Sequence, residues 1–284
     1  GLSRKDCTAR LETLKANLDA TTSPADRRRL LVIVGVDSDD SVYCSEDGLT
    51  MLRAVLGGDR RHHIQVVVEV MEGLRGRICR IWNALARVAA ALGAEFLLLF
   101  GDDVLMDSPN WRERILSEFQ AISEETGLPY GRACVAFNDR AYRGFPTFPV
   151  LHRSHLDLFG GRAVPTNFIN QGGDPFVFEL YARFGAARFA RGVWLTNTVG
   201  GAADDTRYQK QHIRWNTFLL SEAVASLRRV EPAAAAAEQL MIDVGVPTYR
   251  CDLEVLRRIV ACTSFRSRYC RIFYRHRDCG ERET

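Results

Sequence analysis

The sequence predicts an α/β protein, a three-layer α/β/α sandwich around a mostly parallel central sheet. Two observations carry that expectation. Apolar, β-branched runs alternate along the chain with segments whose apolar residues recur every three to four positions, the pattern of strand and crossover helix. Two of those runs also stop abruptly at acids: Leu30 to Val36 ends at Asp37, Asp39 and Asp40, and Phe96 to Phe100 runs through Gly101 into Asp102 and Asp103. In an open α/β sheet the ligand crevice lies beyond the carboxyl ends of the strands, so these acids are predicted to line it. Paired hard oxygen donors there suit Mg²⁺ or Mn²⁺, ions that take further ligands from substrate phosphates.

The elements follow in order. Residues 3–19 place Leu11, Leu14 and Leu18 on one helical face, and the Thr-Thr-Ser-Pro-Ala-Asp stretch after them reads as a loop. A first strand at 30–36, a helix at 46–57 closed by Gly57-Gly58, and a second strand at 64–70 come next. Residues 77–92 carry Ile78, Ile81, Leu85, Val88 and Leu92 at helical spacing and stop at Gly93, a natural C-terminal signal. After the acid-tipped strand come a helix at 109–126 and a strand at 132–138. Residues 144–173 are punctuated by Gly and Pro, rich in aromatics, and read as an irregular substrate-facing wall. Helix 175–184, strand 191–196 and helix 209–229 complete the domain, and Ala233 to Ala237 reads as helix or linker. The organisation predicted is an N-terminal helix and lead-in at 1–29, a catalytic domain at 30–230, and a C-terminal extension at 231–284. Within the domain a nucleotide-binding half covers about 30–107 and an acceptor half about 108–230. The extension is helical, rich in Cys and Arg, and packed on the same domain.

Composition narrows the function classes. With 46% hydrophobic and 26% charged residues, the 284-residue chain can bury one large core, and it is not composed like a disordered protein. A net charge of +3 is too small for a nucleic-acid groove. Almost all the basic charge is Arg, whose planar fork suits phosphate wherever it lines a cleft. No stretch approaches the roughly 18 to 20 apolar residues of a membrane span, since Leu85 to Phe100 is broken by Arg87 and Glu95. The chain starts at Gly1, which fits removal of a leader, anchor or tag. Cys251, Cys262, Cys270 and Cys279 crowd the last stretch, where disulfides would form in an oxidising compartment, whereas Cys79 and Cys134 sit in apolar, core-like contexts. The clustered cysteines favour a secretory lumen such as the Golgi; the absence of an Asn-x-Ser/Thr sequon leaves the cytoplasm open.

The stretch from Asn83-Ala-Leu-Ala to Ala91-Leu-Gly-Ala-Glu-Phe-Leu-Leu-Leu-Phe-Gly-Asp-Asp103 resembles the helix, strand and metal motif of the GT-A glycosyltransferases, of the family 2-like, Asp-x-Asp type. The resemblance covers roughly residues 30–216. It implies a nucleotide-sugar donor, a UDP-sugar first among them, a glycan or glycoprotein acceptor, and a Mn²⁺ or Mg²⁺ cofactor. Asp37, with Asp39 close to it, corresponds to the acid near the nucleotide base. Gly101-Asp102-Asp103 stands where the family carries Asp-x-Asp, so the first acid is replaced by Gly. The resemblance then gives Asp103 to the metal and Asp102 to the donor ribose or sugar, with Asn83 on the donor side.

Gln171-Gly-Gly-Asp174-Pro-Phe resembles the acceptor-side segment in which inverting members carry their general base, making Asp174 the candidate base. The same residue is placed to cap a helix beginning at Pro175, and the two roles are compatible. Asn197-Thr-Val-Gly-Gly201 and Arg207-Tyr-Gln-Lys-Gln-His212 are similar to the end of the same core, where a His supplies another metal ligand. His212 therefore ranks above the other histidines, and an imidazole ligand favours Mn²⁺. Arg77, Arg207 and Lys210 are candidates for the diphosphate. Two rival readings remain. Asp37-Ser-Asp39 and Gly101-Asp-Asp-Val-Leu-Met-Asp107 imitate the motifs of a HAD-type phosphatase, although no Lys lies between them and a long stretch follows the second. A catalytically inactive sugar- or protein-binding module on the same fold is the other.

Overall fold

The computed structural model describes residues 4–57, 64–198, 213–216, 218–231, 243–245 and 271–273. The chain divides into two compact units, 1–237 and 238–284. In the second unit, β8 (Asp243–Gly245) pairs in parallel with β9 (Arg271–Phe273). The four C-terminal cysteines and the Ala233 to Ala237 run lie outside the described residues. Among the described residues, no helix is long and apolar enough to cross a membrane.

The first unit opens with α1 (Arg4–Thr21) and the single turn α2 (Pro24–Arg27). Ser23 starts α2 by accepting the Asp26 N–H at 3.1 Å, with Pro24 preset for the first helical position. β1 (Leu31–Asp37), α3 (Glu46–Gly57) and β2 (Gln65–Met71) follow, and β1 pairs with β2 in parallel from Leu31↔Gln65 to Asp37↔Met71. Alternation along β1 sends Val32, Val34 and Val36 to one face, where Leu11, Leu52 and Leu56 of α1 and α3 bury them. α4 (Ile78–Ala91) stops as the periodicity predicts, with Gly93 in the left-handed region at φ 86°.

The second half builds a five-stranded sheet in the order β3-β6-β5-β7-β4. Its strands are β3 (Phe96–Leu98), β4 (Val104–Met106), β5 (Cys134–Asp139), β6 (Val150–His152) and β7 (Ala187–Asn197). Helices α5 (Trp111–Thr126), α6 (Ser154–Leu158), α7 (Gly173–Ala182) and α8 (Phe218–Val230) complete the unit. The main core gathers Phe119, Phe137, Leu151, Phe176 and Tyr181, all fully buried.

The architecture is therefore mixed α/β, and the expectation of a mostly parallel central sheet is not met by these strands. β5 pairs with β7 in parallel, whereas β3 with β6, β5 with β6, and β4 with β7 are antiparallel. The physical reason lies in the connections. A parallel neighbour needs a long crossover, usually a helix. The segment after β5 is the Gly/Pro-punctuated stretch, which holds no helix before β6 and so turns the chain straight back.

Candidate functional site

A cavity of about 2790 Å³ runs along β1 and reaches the tips of β1 and β3 and the start of α7. Asp37, Asp39, Asp102, Asp103, Asp174 and Arg77 all line it. Both apolar runs thus end in acids that line this same cavity.

At the β1 tip, one carboxylate oxygen of Asp37 (Oδ1) is buried and accepts no hydrogen bond. Burial raises this carboxyl above the usual aspartate value, with Asp39 and Asp40 adding repulsion and Arg75 opposing it. Arg75 pairs with Asp39 at 2.8 Å across an exposed rim. Asp40 turns its carboxylate onto the Val42 and Tyr43 amides at 2.9 and 2.8 Å, an Asx-type turn that fixes the following loop. Tyr43 donates to the Cys7 carbonyl at 3.3 Å, and its phenol is pushed up by burial, by the neighbouring Cys7 thiol, and by the charges of Asp102 and Asp40. One tyrosine ring therefore stands within the field of both acid tips.

The β3 tip is a tight turn. Leu99 donates to the Pro149 carbonyl at 3.3 Å, and the Asp103 carbonyl accepts both the N–H and the hydroxyl of Thr198, at 2.8 and 2.7 Å. A Cβ built on Gly101 would lie 2.5 Å from Oδ1 of Asp103. The Asp103 carboxylate is therefore folded back over position 101. Asp102 next to it is exposed. Tyr142 feels Asp103 as well, its phenol raised by burial and by Asp139 and Asp103.

Asp174 is not the helix cap. The cap position is Gly172, in the left-handed region at φ 87°, and the helix starts at Gly173, which places Asp174 inside the first turn. Both glycines sit in tight surroundings: a Cβ on Gly172 would lie 3.1 Å from the Phe168 ring, and one on Gly173 3.0 Å from Val164 and 3.2 Å from the Cys79 sulfur. Burial pushes the Asp174 carboxyl up to about 6, against the opposing pull of the amides of Asp174 itself and Phe148. The Phe148 backbone is held at φ 49°, a strained value for a bulky residue, and its ring packs on Phe100 with centroids 5.8 Å apart. Phe148 thus touches both the β3 tip and the carboxylate at α7.

Asn83 is placed differently from the donor-side position that the resemblance implies. It is buried, its Oδ1 accepts the Ala163 and Val164 amides at 2.8 and 2.9 Å, and its Nδ2 donates to the Val164 carbonyl at 2.8 Å. It ties α4 to the loop that leads to Asp174. Arg207, Lys210 and His212 lie outside the described residues. Among the described residues no three His, Cys, Asp or Glu side chains converge as a metal cage. The sequence reading missed Arg75, Tyr43, Tyr142 and Phe148. Arg75 had a readable signal, since it sits in the Gly73 to Gly76 loop just past the same edge of the parallel pair; the other three had none.

No family model, curated protein or solved structure matches the chain. The functional reading rests on the residues themselves.

Proposed function

We propose that this chain is a metal-dependent glycosyltransferase of GT-A fold that moves a sugar from a nucleotide-sugar, a UDP-sugar in the first instance, to a hydroxyl of a glycan or glycoprotein. One observation carries the reading: the acids at the tips of β1 and β3, and Asp174 at the start of α7, line a single cavity. In this reading Asp37 and Asp39 bind the nucleotide, Asp102 meets the donor ribose or sugar, and Arg77 meets the diphosphate. Asp103 holds Mn²⁺ or Mg²⁺, with His212 as a second ligand. The donor set fits such an ion, because hard carboxylate oxygens suit it and it completes its shell from phosphate and water. When bound, the ion would offset the charge that develops on the departing diphosphate. Asn83 acts by positioning the loop ahead of Asp174.

Asp174 supplies the base. Its carboxylate takes the proton of the acceptor hydroxyl as that oxygen bonds to the anomeric carbon and the bond from that carbon to the diphosphate breaks. A carboxyl held at about 6 is ionised at neutral pH yet more basic than an ordinary aspartate, which suits the task. This role for Asp174 belongs to an inverting transfer; a retaining one would need no such base and would leave Asp174 structural.

Calorimetric titration of UDP, GDP and CMP, with and without Mn²⁺, tests the donor site on the native chain and on Asp103→Ala. Metal-dependent binding of one nucleotide, lost in the variant, is the expected result. Binding of none of the three would sink the proposal and favour the phosphatase or the inactive module.

A further inference from the structure

The sequence places α1 ahead of the catalytic domain, yet the fold brings it to both acid-bearing segments. Near its C-terminal end the Asn17 carboxamide faces Met106 of β4: Nδ2 donates to the Met106 carbonyl at 2.9 Å, and Oδ1 accepts the Met106 N–H at 2.8 Å. A carboxamide carries the same donor and acceptor as a peptide group, so Asn17 stands in for a neighbouring strand. β4 is at the end of its sheet, with β7 on one side only. Successive residues of an antiparallel strand turn their N–H and C=O groups to alternate sides. Asp103 and Asp107 face β7, the first accepting from Thr198 and the second donating to the Trp194 carbonyl at 2.9 Å. Met106 faces the other way and is 2% exposed, so Asn17 meets groups that water does not reach.

The chain that continues from β4 is gripped by the same part of the protein. The Asn110 N–H donates to the Thr21 carbonyl at 3.1 Å, Trp111 Nε1 donates to the Thr22 hydroxyl at 3.1 Å, and Arg112 pairs with Asp26 at 2.8 Å. At the other end of α1 the Cys7 carbonyl accepts the Tyr43 hydroxyl at 3.3 Å. Tyr43 is itself fastened to the loop beyond β1, since its amide donates to the Asp40 carboxylate at 2.8 Å. Between these contacts Leu11 and Leu14 pack in the cluster that holds Val36, Leu52 and Leu56, which seats the helix on β1 and α3.

One role for Asn17 is to seal the open edge of β4 against another chain. The geometry supports more than that. β4 is only three residues long, so its ladder with β7 is short and contacts on its outer side weigh heavily in where it lies. Asp103 immediately precedes it, and wherever β4 lies, the Asp102–Asp103 turn goes with it. Among the described strands β1 and β3 belong to different sheets, so no strand pairing spaces their tips. A helix does so well, because its rise is fixed at 1.5 Å per residue, which puts Cys7 and Asn17 roughly 15 Å apart along α1.

We propose that α1 belongs to the site as its spacer: from the Cys7 carbonyl at one end and Asn17 at the other, it fixes where the Asp102–Asp103 turn stands relative to the Asp37–Asp40 loop. Asn17 is the positioning residue for Asp103, acting through β4. The positioning stands on these contacts alone; its service to donor and metal binding rests on the sugar-transfer reading.

Amide NMR spectra of the intact chain, native and Asn17→Ala, test the positioning without ligand. Asn17 meets the strand at Met106, so a change at Gly101, Asp102 and Asp103 has to travel along β4. The amide signals of those three residues and of Thr198 should move further than that of Cys134, whose N–H is bonded to the Ala186 carbonyl at 2.9 Å. Unmoved signals at 101–103 overturn the positioning and leave Asn17 as an edge seal; movement no larger there than at Cys134 overturns it too. Asn17→Asp keeps an acceptor for the Met106 N–H and loses only the donor, and it gives the same readout if the alanine variant does not fold. Calorimetry with Mn²⁺ and whichever of UDP, GDP or CMP binds the native chain then tests the service to the donor. Asn17→Ala should bind at least about tenfold more weakly. Asn138→Ala should bind as the native chain does, since Asn138 lines no part of the cavity and its Nδ2 bonds only the Ala190 and Val193 carbonyls, at 2.6 and 2.9 Å. Native affinity in Asn17→Ala, or an equal loss in both variants, overturns that service and leaves the sugar-transfer reading intact. If none of the nucleotides binds the native chain, that reading falls, while the spectra still decide the positioning.

Discussion

Asp174 and His155 pull the stability of this protein in opposite directions as pH changes, and replacing Asp174 with Asn should expose the difference. His155 is wholly buried in α6, with Nδ1 2.9 Å from the Tyr181 hydroxyl and Nε2 2.9 Å from the Ala163 carbonyl. The carbonyl only accepts, so Nε2 carries the proton and Nδ1 accepts from Tyr181. Burial lowers this imidazole to about 4, from an unfolded value of 6.5. A depressed pKa of a base means the unfolded chain binds the extra proton first. The stability tied to neutral His155 is complete above pH 6.5 and is lost as pH falls from 6.5 to about 4, a change of about 3 kcal/mol. Asp174 has the opposite sign. Its carboxyl rises from 3.8 unfolded to about 6 folded, so its ionisation costs stability as pH rises between those values. Full conversion of that shift gives about 3 kcal/mol, and the residue's partial contact with solvent reduces it to about 1–3 kcal/mol. Between pH 4 and 6 the contributions of these two groups oppose and largely offset each other. Asp174→Asn keeps an acceptor for the Asp174 and Phe148 amides but carries no charge. The variant should be more stable than the native chain by about 1–3 kcal/mol at pH 7.5, lose that advantage toward pH 4, and show a steeper acid limb. Urea unfolding at pH 4, 5, 6, 7 and 8 measures it. A variant equal to or weaker than the native chain at pH 7.5 would refute the argument. On the proposed mechanism the same substitution removes transfer while sparing nucleotide binding, the trade-off expected of a group retained for chemistry rather than for stability.

Three further expectations follow from single contacts. Gly101→Ala puts a methyl where Oδ1 of Asp103 now lies, 2.5 Å from the new carbon, so metal-dependent nucleotide affinity should fall about tenfold or more; unchanged affinity with the fold intact would separate the Asp103 rotamer from binding. Asn83→Ala strands two buried amides and a carbonyl and should lower urea stability by about 3–5 kcal/mol; a loss below about 1 kcal/mol would mean the loop at 163–164 is held by something else. Cys79 and Cys134 are fully buried, with Cys79 pushed up to about 12 and Cys134 higher still, so both should resist alkylation at pH 8 until denaturant is added; prompt labelling would contradict their burial.

What the sequence made legible was the long and periodic. The apolar spacing from Ile78 to Leu92 and the stop at Gly93 specify α4 to within a residue, and the Gly57 stop does the same for α3. The short strands β4 and β6 carry no such signal, because three residues are too few to show a period of two. β7 begins at Ala187, ahead of the expected 191, because residues 187 to 189 find pairing partners in β5, and pairing is a property of the neighbour rather than of the segment. The same distinction divides the site. The acids were readable as abrupt ends of apolar runs. Their partners were not: Arg75 reaches Asp39 from another strand's end, and Phe148 reaches Asp174 only through a backbone bend that no residue type announces.

Gly101 shows how a departure from a motif acquires a reason. By sequence it is a missing acid, one ligand fewer for a metal. In the fold, the Asp103 carbonyl is held by both the N–H and the hydroxyl of Thr198, which fixes the backbone of the turn. In the rotamer it adopts, Oδ1 of Asp103 lies 2.5 Å from where a side chain on residue 101 would begin, so any side chain there would compete with it for that space. Gly101 and Asp103 therefore behave as one unit: the glycine clears the volume and the aspartate fills it. Restoring the first acid with Gly101→Asp would add a carboxylate but displace the one already placed. On this reasoning it should weaken metal-dependent binding rather than strengthen it, the reverse of what counting acids would suggest.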